Sequence, residues 1–318
     1  MRAIRITVKA LLVLVAVVAG YAGYAGWRYR RVPGTVHPCI DCTTPVRVRG
    51  YDLYYRELGT DSTRPPVVLV HGGPGHSSLS FKHGFDFVAA TRRLVMYDQR
   101  GSGNSQGRNR PADFTVDSLV EELESLRHAV IRADRIVLVG HSFGSAIVQR
   151  YALKYPAHVD RLAIIGGVRL NNEVSSPLLW RTLGPMFGSF ALGFPPADGA
   201  AADAWFTGLP SGDRLHDPRR TDLLQDVGIT RFATWREVSM SAVGPPREEE
   251  LRHLDVPVTF MYGASDAPYT GKPVAEYLCG LVPRCRIVAF GKSGHWPFLE
   301  EPEAFQELFT QFLDAPAR

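Results

Sequence analysis

The chain lacks internal repeats and low-complexity segments, and outside its N-terminus it also lacks an excess of basic residues. Its formal net charge is +4, but residues 1–31 hold six basic residues and no acid, so the remaining chain carries a net charge of −2. A folded domain without a basic excess is atypical of nucleic-acid binding, and we expect no nucleic-acid partner. The 318 residues, of which 45% are hydrophobic, suffice for one large core.

Cysteine is scarce, and its four occurrences form two close pairs, Cys39/Cys42 and Cys279/Cys285. An even number of cysteines in local pairs is typical of disulfides in an exported protein. Free thiols are an alternative interpretation for both pairs, and a metal site is an alternative for the first. A zinc site would need a fourth ligand, and no strand–CxxC–helix context supports thioredoxin-type redox chemistry.

Charge is absent from residues 10–27, an apolar run of eighteen residues with basic clusters on both sides. About 20 residues cross a bilayer as a helix, so residues 1–31 are predicted to form an N-terminal transmembrane anchor. A cleaved signal peptide, which would leave a secreted protein, is the alternative. Together with the cysteine pairs, the run leads us to expect the folded domain outside the cytoplasm, after a linker at residues 32–45.

Strand and helix patterns alternate along most of the remaining chain. Residues 46–56 alternate around Gly50, as in a hairpin. The next predicted strands are 67–70, 93–97, 135–139, 162–166, 256–262 and 286–290, and the predicted helices are 79–90, 115–131, 143–155, 273–279 and 302–313. This order predicts an α/β fold with a mostly parallel sheet wrapped by helices on both faces.

The alternation stops over residues 170–253, which contain glycine, proline and aromatic residues without a strand rhythm. We interpret this segment as an inserted cap of short helices over the carboxyl edge of the sheet. The core then has two parts, residues 46–169 and residues 254–318. No feature of the sequence predicts the oligomeric state.

A nucleophile motif, Gly140-His141-Ser142-Phe143-Gly144, directly follows the apolar strand pattern and precedes a predicted helix. A nucleophilic serine at a sharp strand-to-helix turn needs small neighbours, and the glycines at both ends supply them. The N-terminal amides of the helix point to the place where negative charge develops. The motif in this context predicts that Ser142 is the nucleophile of a serine hydrolase, which needs no metal and no organic cofactor.

The serine needs a base, and the base needs an acid that orients it. Asp266 and His295 each follow a predicted strand by a few residues, and the order Ser142, Asp266, His295 is the one that this kind of sheet uses. The other candidates are weaker. His71 and His141 sit within tight turns that they are expected to serve, and His253 and Asp255 precede their strand, at the wrong end of the sheet.

Two backbone amides are expected to bind the oxyanion. One belongs to Phe143, the residue after the nucleophile, and the other to Gly73 in the loop His71-Gly72-Gly73-Pro74-Gly75. Glycine at these positions lets the backbone turn its N–H groups inward. The Gly73–Pro74 bond is a candidate for a cis peptide in a tight turn.

Three motifs together carry a family resemblance: His71–Gly75, Asp98-Gln99-Arg100-Gly101-Ser102-Gly103, and the nucleophile motif. They resemble α/β-hydrolases of the proline iminopeptidase family along the whole core. The resemblance implies an aminopeptidase that acts on small peptides with an N-terminal proline, and a supporting role of loop 98–103 for the oxyanion loop. Cap carboxylates would receive the substrate's free amine, and the available ones are Glu173, Asp203, Asp222, Asp226 and Glu237.

Two other functions stay open at this point. A carboxylesterase or lipase-like hydrolase working near the membrane would use the same loops. A non-catalytic binding protein on the same fold is a third interpretation, which the complete serine, aspartate and histidine set argues against. The expected partner is a small molecule or a short peptide.

Overall fold

The computed structural model describes residues 9, 11–20, 44–61, 63–81, 83–105, 114–169, 203, 214–224, 230–231, 233–235, 238 and 248–316. The predicted linker lies outside these residues except for its last two positions, and so does most of the predicted cap. The pair Cys39/Cys42 also lies outside them. The two predicted parts of the core are described almost completely.

An eight-stranded sheet forms the centre of the described residues, in the order β1-β2-β4-β3-β5-β6-β7-β8. β1 and β2 form the predicted antiparallel hairpin, β2 runs antiparallel to β4, and all other neighbours are parallel. The strands are β1 Thr44–Val48, β2 Tyr51–Leu58, β3 Val67–Val70, β4 Leu94–Tyr97, β5 Ile136–His141, β6 Val159–Ile165, β7 Val258–Gly263 and β8 Cys285–Phe290. The predicted mostly parallel sheet is confirmed.

The helices pack on both faces of this sheet, as predicted. They are α1 Val116–Leu126, α2 Gly144–Lys154, α3 Lys272–Cys279, α4 Pro297–Glu300 and α5 Pro302–Asp314. Helices α1 to α3 bury their apolar sides with Val68 and Val70 of β3, whereas α4 and α5 pack with Val67 and Leu69. Neighbouring residues of one strand therefore serve opposite cores, because side chains alternate along a strand. A strand buried on both faces appears as the continuous apolar run seen in the sequence.

One predicted helix is wrong. Residues 79–90 form two short 3-10 helices, Ser78–Phe81 and Asp86–Ala90, instead of one α-helix. Gly84 lies between them, and a Cβ at this position would come within 2.9 Å of the Phe298 ring. Glycine weakens a helix, and its close packing here fixes the break.

Other boundaries differ in detail. The predicted helix 115–131 is α1 followed by a π-helix at Arg127–Ile131, with Thr115 as the N-cap that accepts from Ser118 N at 3.1 Å. Strand β6 begins at Val159, three residues before its predicted start, because the buried pair of Arg161 and Asp160 hides the beginning of the strand in the sequence. Further 3-10 helices are Pro156–His158, Thr221–Leu224 and Glu248–His253.

The N-terminal apolar run is helical at residues 11–20, and its large side chains are exposed. Among the residues that the structure describes, none of the helices has the length and apolar character needed to cross a membrane. The second cysteine pair forms the predicted disulfide, Cys279–Cys285, which joins the end of α3 to the start of β8.

Candidate active site

Ser142 stands at the turn between β5 and α2 with a backbone φ of +53°. Few residues other than glycine adopt this left-handed conformation, and its presence here indicates a strained turn that exposes the side chain. The neighbouring glycines explain why the turn forms. A Cβ on Gly140 would lie 2.5 Å from Val148 Cγ2, and one on Gly144 would collide with the carbonyl oxygen of Val70.

Asp266 and His295 form a buried pair at the carboxyl edge of the sheet, each on the loop after its strand. His295 Nδ1 donates to Asp266 at 2.9 Å from Oδ2 and 3.1 Å from Oδ1, and their side chains are 1% and 0% exposed. His295 Nε2 is buried and makes no hydrogen bond to any described residue. The imidazole is thus oriented by the carboxylate through one nitrogen, while the other keeps its lone pair for a proton.

The pKa values of both partners are lowered, which favours a charged carboxylate beside a neutral imidazole. Burial alone would raise the pKa of Asp266, but the charge of His295 and its hydrogen bond lower it to about 2. Thr270 Oγ1 also donates to Asp266, at 2.9 Å. Burial lowers the pKa of His295, and the Arg214 guanidinium lowers it further, against the opposing effect of Asp266. At neutral pH the carboxylate is ionised and the imidazole is neutral, as a general base must be.

The pH dependence of hydrolysis follows from these directions. We expect kcat/KM to rise with pH as His295 loses its proton, with a midpoint below the ordinary histidine value of about 6.5. A lowered pKa keeps the imidazole of His295 neutral down to a lower pH, so the rise in kcat/KM also occurs at lower pH. The kcat/KM of the full chain, measured from pH 4 to 8 on a substrate without titratable groups, checks this. A midpoint above 6.5 would contradict it.

The predicted oxyanion loop lies against the nucleophile. A Cβ on Gly72 would come 2.7 Å from Ser142 Cβ, so the backbone of this loop approaches the serine closely. Gly73 has a φ of +122°, and the Gly73–Pro74 bond is cis, as expected. Phe143 directly precedes α2, so its amide belongs to the N-terminal end of that helix.

Loop 98–103 braces the oxyanion loop, in agreement with the role that the resemblance implies. Gln99 N donates to His71 Nε2 at 3.1 Å, and Gln99 Nε2 donates to His71 O at 2.7 Å. Asp98 is fully buried and accepts from both the amide and the hydroxyl of Ser78 at 2.8 Å. These bonds fix the two loops to each other on the side of the nucleophile.

Gly166 is a site residue that the sequence reasoning missed. It directly follows β6 with a φ of +52°, and a Cβ there would lie 2.8 Å from His295 Nδ1 and 3.2 Å from Asp266 Oδ2. The preceding residue, Ile165, accepts the Ser142 amide at 2.9 Å. Gly166 therefore leaves room for the Asp266–His295 pair and directly follows the residue that holds the Ser142 amide. The available signal was the glycine pair 166–167, which begins at the last residue of the predicted strand 162–166.

The expectation that His141 serves only its own turn is incomplete. Its Nε2 donates to the carbonyl oxygen of His295 at 2.9 Å, and the two ring centroids are 4.7 Å apart. Burial lowers the pKa of His141 well below its ordinary value, so it is neutral beside the base. The residue before the nucleophile thus supports the loop of the histidine.

Glu300 is a second residue that the sequence reasoning missed. Its Oε1 accepts from the amides of Gly294 and Trp296, at 2.8 and 3.3 Å, and these two residues flank His295. Its Oε2 accepts from the amide of His216 at 2.7 Å. One carboxylate thus ties the histidine loop to a segment of the predicted cap region. This contact joins distant parts of the chain, and no local pattern in the sequence signals it.

Two of the weaker candidates lie at the other end of β7, as expected. Asp255 is three residues before β7 and 3.5 Å from Arg284, and His253 ends the 3-10 helix before it. Two of the cap carboxylates are described: Asp203 is buried and 2.6 Å from Arg231, and Asp222 is 3.1 Å from Arg220. Glu173, Asp226 and Glu237 lie outside the described residues. Within the described part of the chain, no group of three or more metal-binding side chains is clustered.

Comparison with known proteins matches residues 65–302 to the α/β hydrolase fold family. The proline iminopeptidase of Thermoplasma volcanium is 32% identical over 293 residues, which cover 85% of this chain and 95% of that protein. The enzyme of the same name from Saccharolobus solfataricus is 26% identical, covering 84% and 91%. These similarities confirm the resemblance inferred from the motifs.

Solved structures share the fold at lower identity. An esterase from Exiguobacterium antarcticum superposes with a TM-score of 0.68 and 18% identity, covering 86% of this chain and 99% of that chain. The enol-lactonase from Burkholderia xenovorans LB400 superposes with a TM-score of 0.67 and 19% identity, covering 85% and 99%. At this identity the likeness concerns the fold alone.

Proposed function

The chain belongs to the α/β-hydrolase family and is a serine hydrolase, and from this premise we propose that it is an aminopeptidase that releases N-terminal proline from small peptides. The observation that carries the substrate class is the similarity to proline iminopeptidases, which extends over most of the chain. The buried Asp266–His295 pair beside the strained turn at Ser142 supports the acyl-enzyme chemistry.

In the proposed mechanism, His295 Nε2 takes the proton of Ser142 while Oγ attacks the carbonyl carbon of the substrate. The amides of Gly73 and Phe143 stabilise the oxyanion of the tetrahedral intermediate. His295 then gives the proton to the leaving nitrogen, and the C–N bond breaks to leave a prolyl ester on Ser142. Water, deprotonated by His295, hydrolyses this ester and restores the serine. Asp266 stays ionised throughout and stabilises the imidazolium that forms twice.

Recognition of the free imino group requires a negative charge near the acyl pocket. Of the five candidate carboxylates, Asp203 and Asp222 are engaged by Arg231 and Arg220. The resemblance places this role on carboxylates of the cap, and the other three candidates, Glu173, Asp226 and Glu237, lie outside the described residues.

The test compares kcat/KM of the full chain on three substrates: a proline arylamide, the same arylamide with an acetylated proline nitrogen, and a short-chain aryl ester. The proposal expects cleavage of the free arylamide and at least about a hundredfold loss on acetylation, because a carboxylate that binds the amine is left unpaired. The Ser142→Ala variant gives the background. Ester turnover without amide turnover overturns the peptidase assignment and favours a carboxylesterase.

We also propose that the enzyme is held at a membrane by its N-terminal apolar run, with the catalytic domain outside the cytoplasm. The exposed side chains at residues 11–20 and the disulfide of the catalytic domain support this. Retention of the protein in carbonate-washed membranes tests the attachment. Digestion by protease added outside intact cells tests the location of the catalytic domain. A shortened protein in the soluble exported fraction would instead indicate a cleaved signal peptide, and protection from external protease would contradict the orientation.

A further inference from the structure

Arg214 approaches the Asp266–His295 pair with a guanidinium that forms no ion pair within 4.0 Å among the described residues, although its charge helps to lower the pKa of Asp266. Its carbonyl oxygen accepts the amide of His295 at 2.8 Å, so its backbone adjoins the base. Its Nε and Nη2 atoms are buried and make no hydrogen bond within the described part of the chain. A buried charged donor without a partner is costly, and proteins retain such groups where a ligand completes them.

The guanidinium lies between the loops that carry the base and the acid. Its central carbon is 5.7 Å from the ring centroid of Trp296, the residue after His295. It is 5.9 Å from the ring centroid of Tyr269, three residues after Asp266. Other described arginines of this region differ, because Arg219 and Arg231 pair with the carboxylates of Asp217 and Asp203 at 2.8 and 2.6 Å.

The charge of Arg214 acts on both members of the pair, since it favours the ionised form of Asp266 and disfavours the imidazolium form of His295. Hydrolysis requires His295 to become an imidazolium, and the neighbouring guanidinium lowers the pKa of His295. An anionic group bound between substrate and Arg214 would offset this repulsion. The arrangement therefore favours a substrate that brings its own negative charge to this side of the base.

The position of His295 in the reaction indicates which part of the substrate would carry this negative charge. His295 passes its proton to the leaving nitrogen, so the released residue lies next to the imidazole, and the Arg214 guanidinium stands over the ring of Trp296, the next residue in the chain. We propose that Arg214 binds the α-carboxylate of the residue that is released, which makes prolyl dipeptides the preferred substrates. The planar guanidinium matches a carboxylate with two parallel hydrogen bonds. This inference rests on the proposed function and names its leaving-group subsite.

The test is the ratio of kcat/KM for prolylglycine to kcat/KM for prolylglycinamide, which differ only in the terminal carboxylate. We expect a ratio of at least about tenfold in the full chain and a ratio near one in Arg214→Gln. Arg214→Lys keeps part of the preference, because lysine supplies the charge without the planar fork. The control Arg219→Gln, in the same segment but exposed and paired with Asp217, keeps the ratio of the unmodified chain.

A ratio near one in the unmodified chain, or an unchanged ratio in a folded Arg214→Gln, overturns the proposal. Thermal unfolding shows whether Arg214→Gln is folded. If it is not, Arg214→Lys decides, and a ratio equal to that of the unmodified chain is the negative result. An equal loss on both substrates makes Arg214 a positioning residue of His295 and also overturns the subsite.

A second substrate pair separates this inference from the peptidase assignment. 4-Acetoxybenzoate and 4-acetoxybenzamide place a carboxylate or a neutral amide on the leaving group of an ester. If no prolyl peptide is cleaved, the proposed function fails, while a preference for the benzoate that disappears in Arg214→Gln still supports an anion subsite. Equal turnover of the two esters in the unmodified chain, together with cleavage of prolyl peptides, rejects the subsite alone.

Discussion

Replacing Ser142 with alanine is expected to lower kcat by roughly 10⁴- to 10⁶-fold, because no other group can form the acyl-enzyme. The hydroxyl stands at a turn that only a particular backbone allows, with a φ of +53° and tightly packed glycines on both sides. The measurement is kcat of the full chain on whichever substrate the arylamide and ester comparison identifies. Labelling by a fluorophosphonate, followed by mass spectrometry, should modify Ser142 in the unmodified chain and nothing in the variant.

The matched control is Ser125→Ala on helix α1, where the serine hydroxyl donates to the carbonyl oxygen of Glu121 at 2.7 Å, outside the site. This variant should keep both kcat and the fluorophosphonate label. Activity that persists in Ser142→Ala above the level of a mock preparation would end the serine mechanism. An unmodified chain that binds prolyl peptides but never takes up the label would favour a binding protein on this fold.

The three candidate catalytic residues could be proposed from the sequence because each is signalled locally. Ser142 follows an apolar run and precedes a helix pattern, and Asp266 and His295 follow apolar runs at short distance. In a parallel sheet the carboxyl ends of all strands meet at one edge, so three local signals predict one site. The pairing of His295 with Asp266 at 2.9 Å is a consequence of topology that no single segment carries.

The residues that sequence reasoning missed act between segments that are far apart in the chain. Glu300 binds the amide of His216, 84 residues earlier, and Arg214 accepts the amide of His295. Neither contact produces a periodicity or a motif, so only the folded chain reveals it. The wrong helix at 79–90 has a related origin, since the break at Gly84 is set by Phe298 from a distant part of the chain.

The fold and its site depend on glycine in a way that composition alone does not indicate. Ser142 lies in the space that a side chain at residue 72 would need, and His295 lies in the space that a side chain at residue 166 would need. A catalytic pair buried at 1% and 0% exposure leaves little room for a neighbour to move. An added methyl group at such a position is therefore expected to disturb chemistry more than it disturbs the fold.

Gly166→Ala is expected to lower kcat by up to about 10⁴-fold, the loss that follows when a catalytic histidine is not held in its correct tautomer and orientation. The new Cβ would lie 2.8 Å from His295 Nδ1 and 3.2 Å from Asp266 Oδ2, so it separates the two partners of the hydrogen bond. Alanine at a φ of +52° is also expected to lower the free energy of unfolding by about 1–2 kcal/mol. Steady-state kcat and the rate of fluorophosphonate labelling measure the loss of activity, and thermal unfolding measures the loss of stability.

Gly291→Ala is the matched control, because Gly291 lies on the same loop as His295 and a Cβ there meets nothing within 4 Å. This variant should keep kcat and the melting temperature, which shows that alanine in the loop is harmless in itself. If Gly166→Ala keeps kcat within about threefold while its stability falls, the Asp266–His295 contact tolerates the methyl group, and the glycine serves only the backbone turn. A loss of kcat and labelling in a variant that still unfolds cooperatively would instead establish that the empty space at residue 166 holds the base in place.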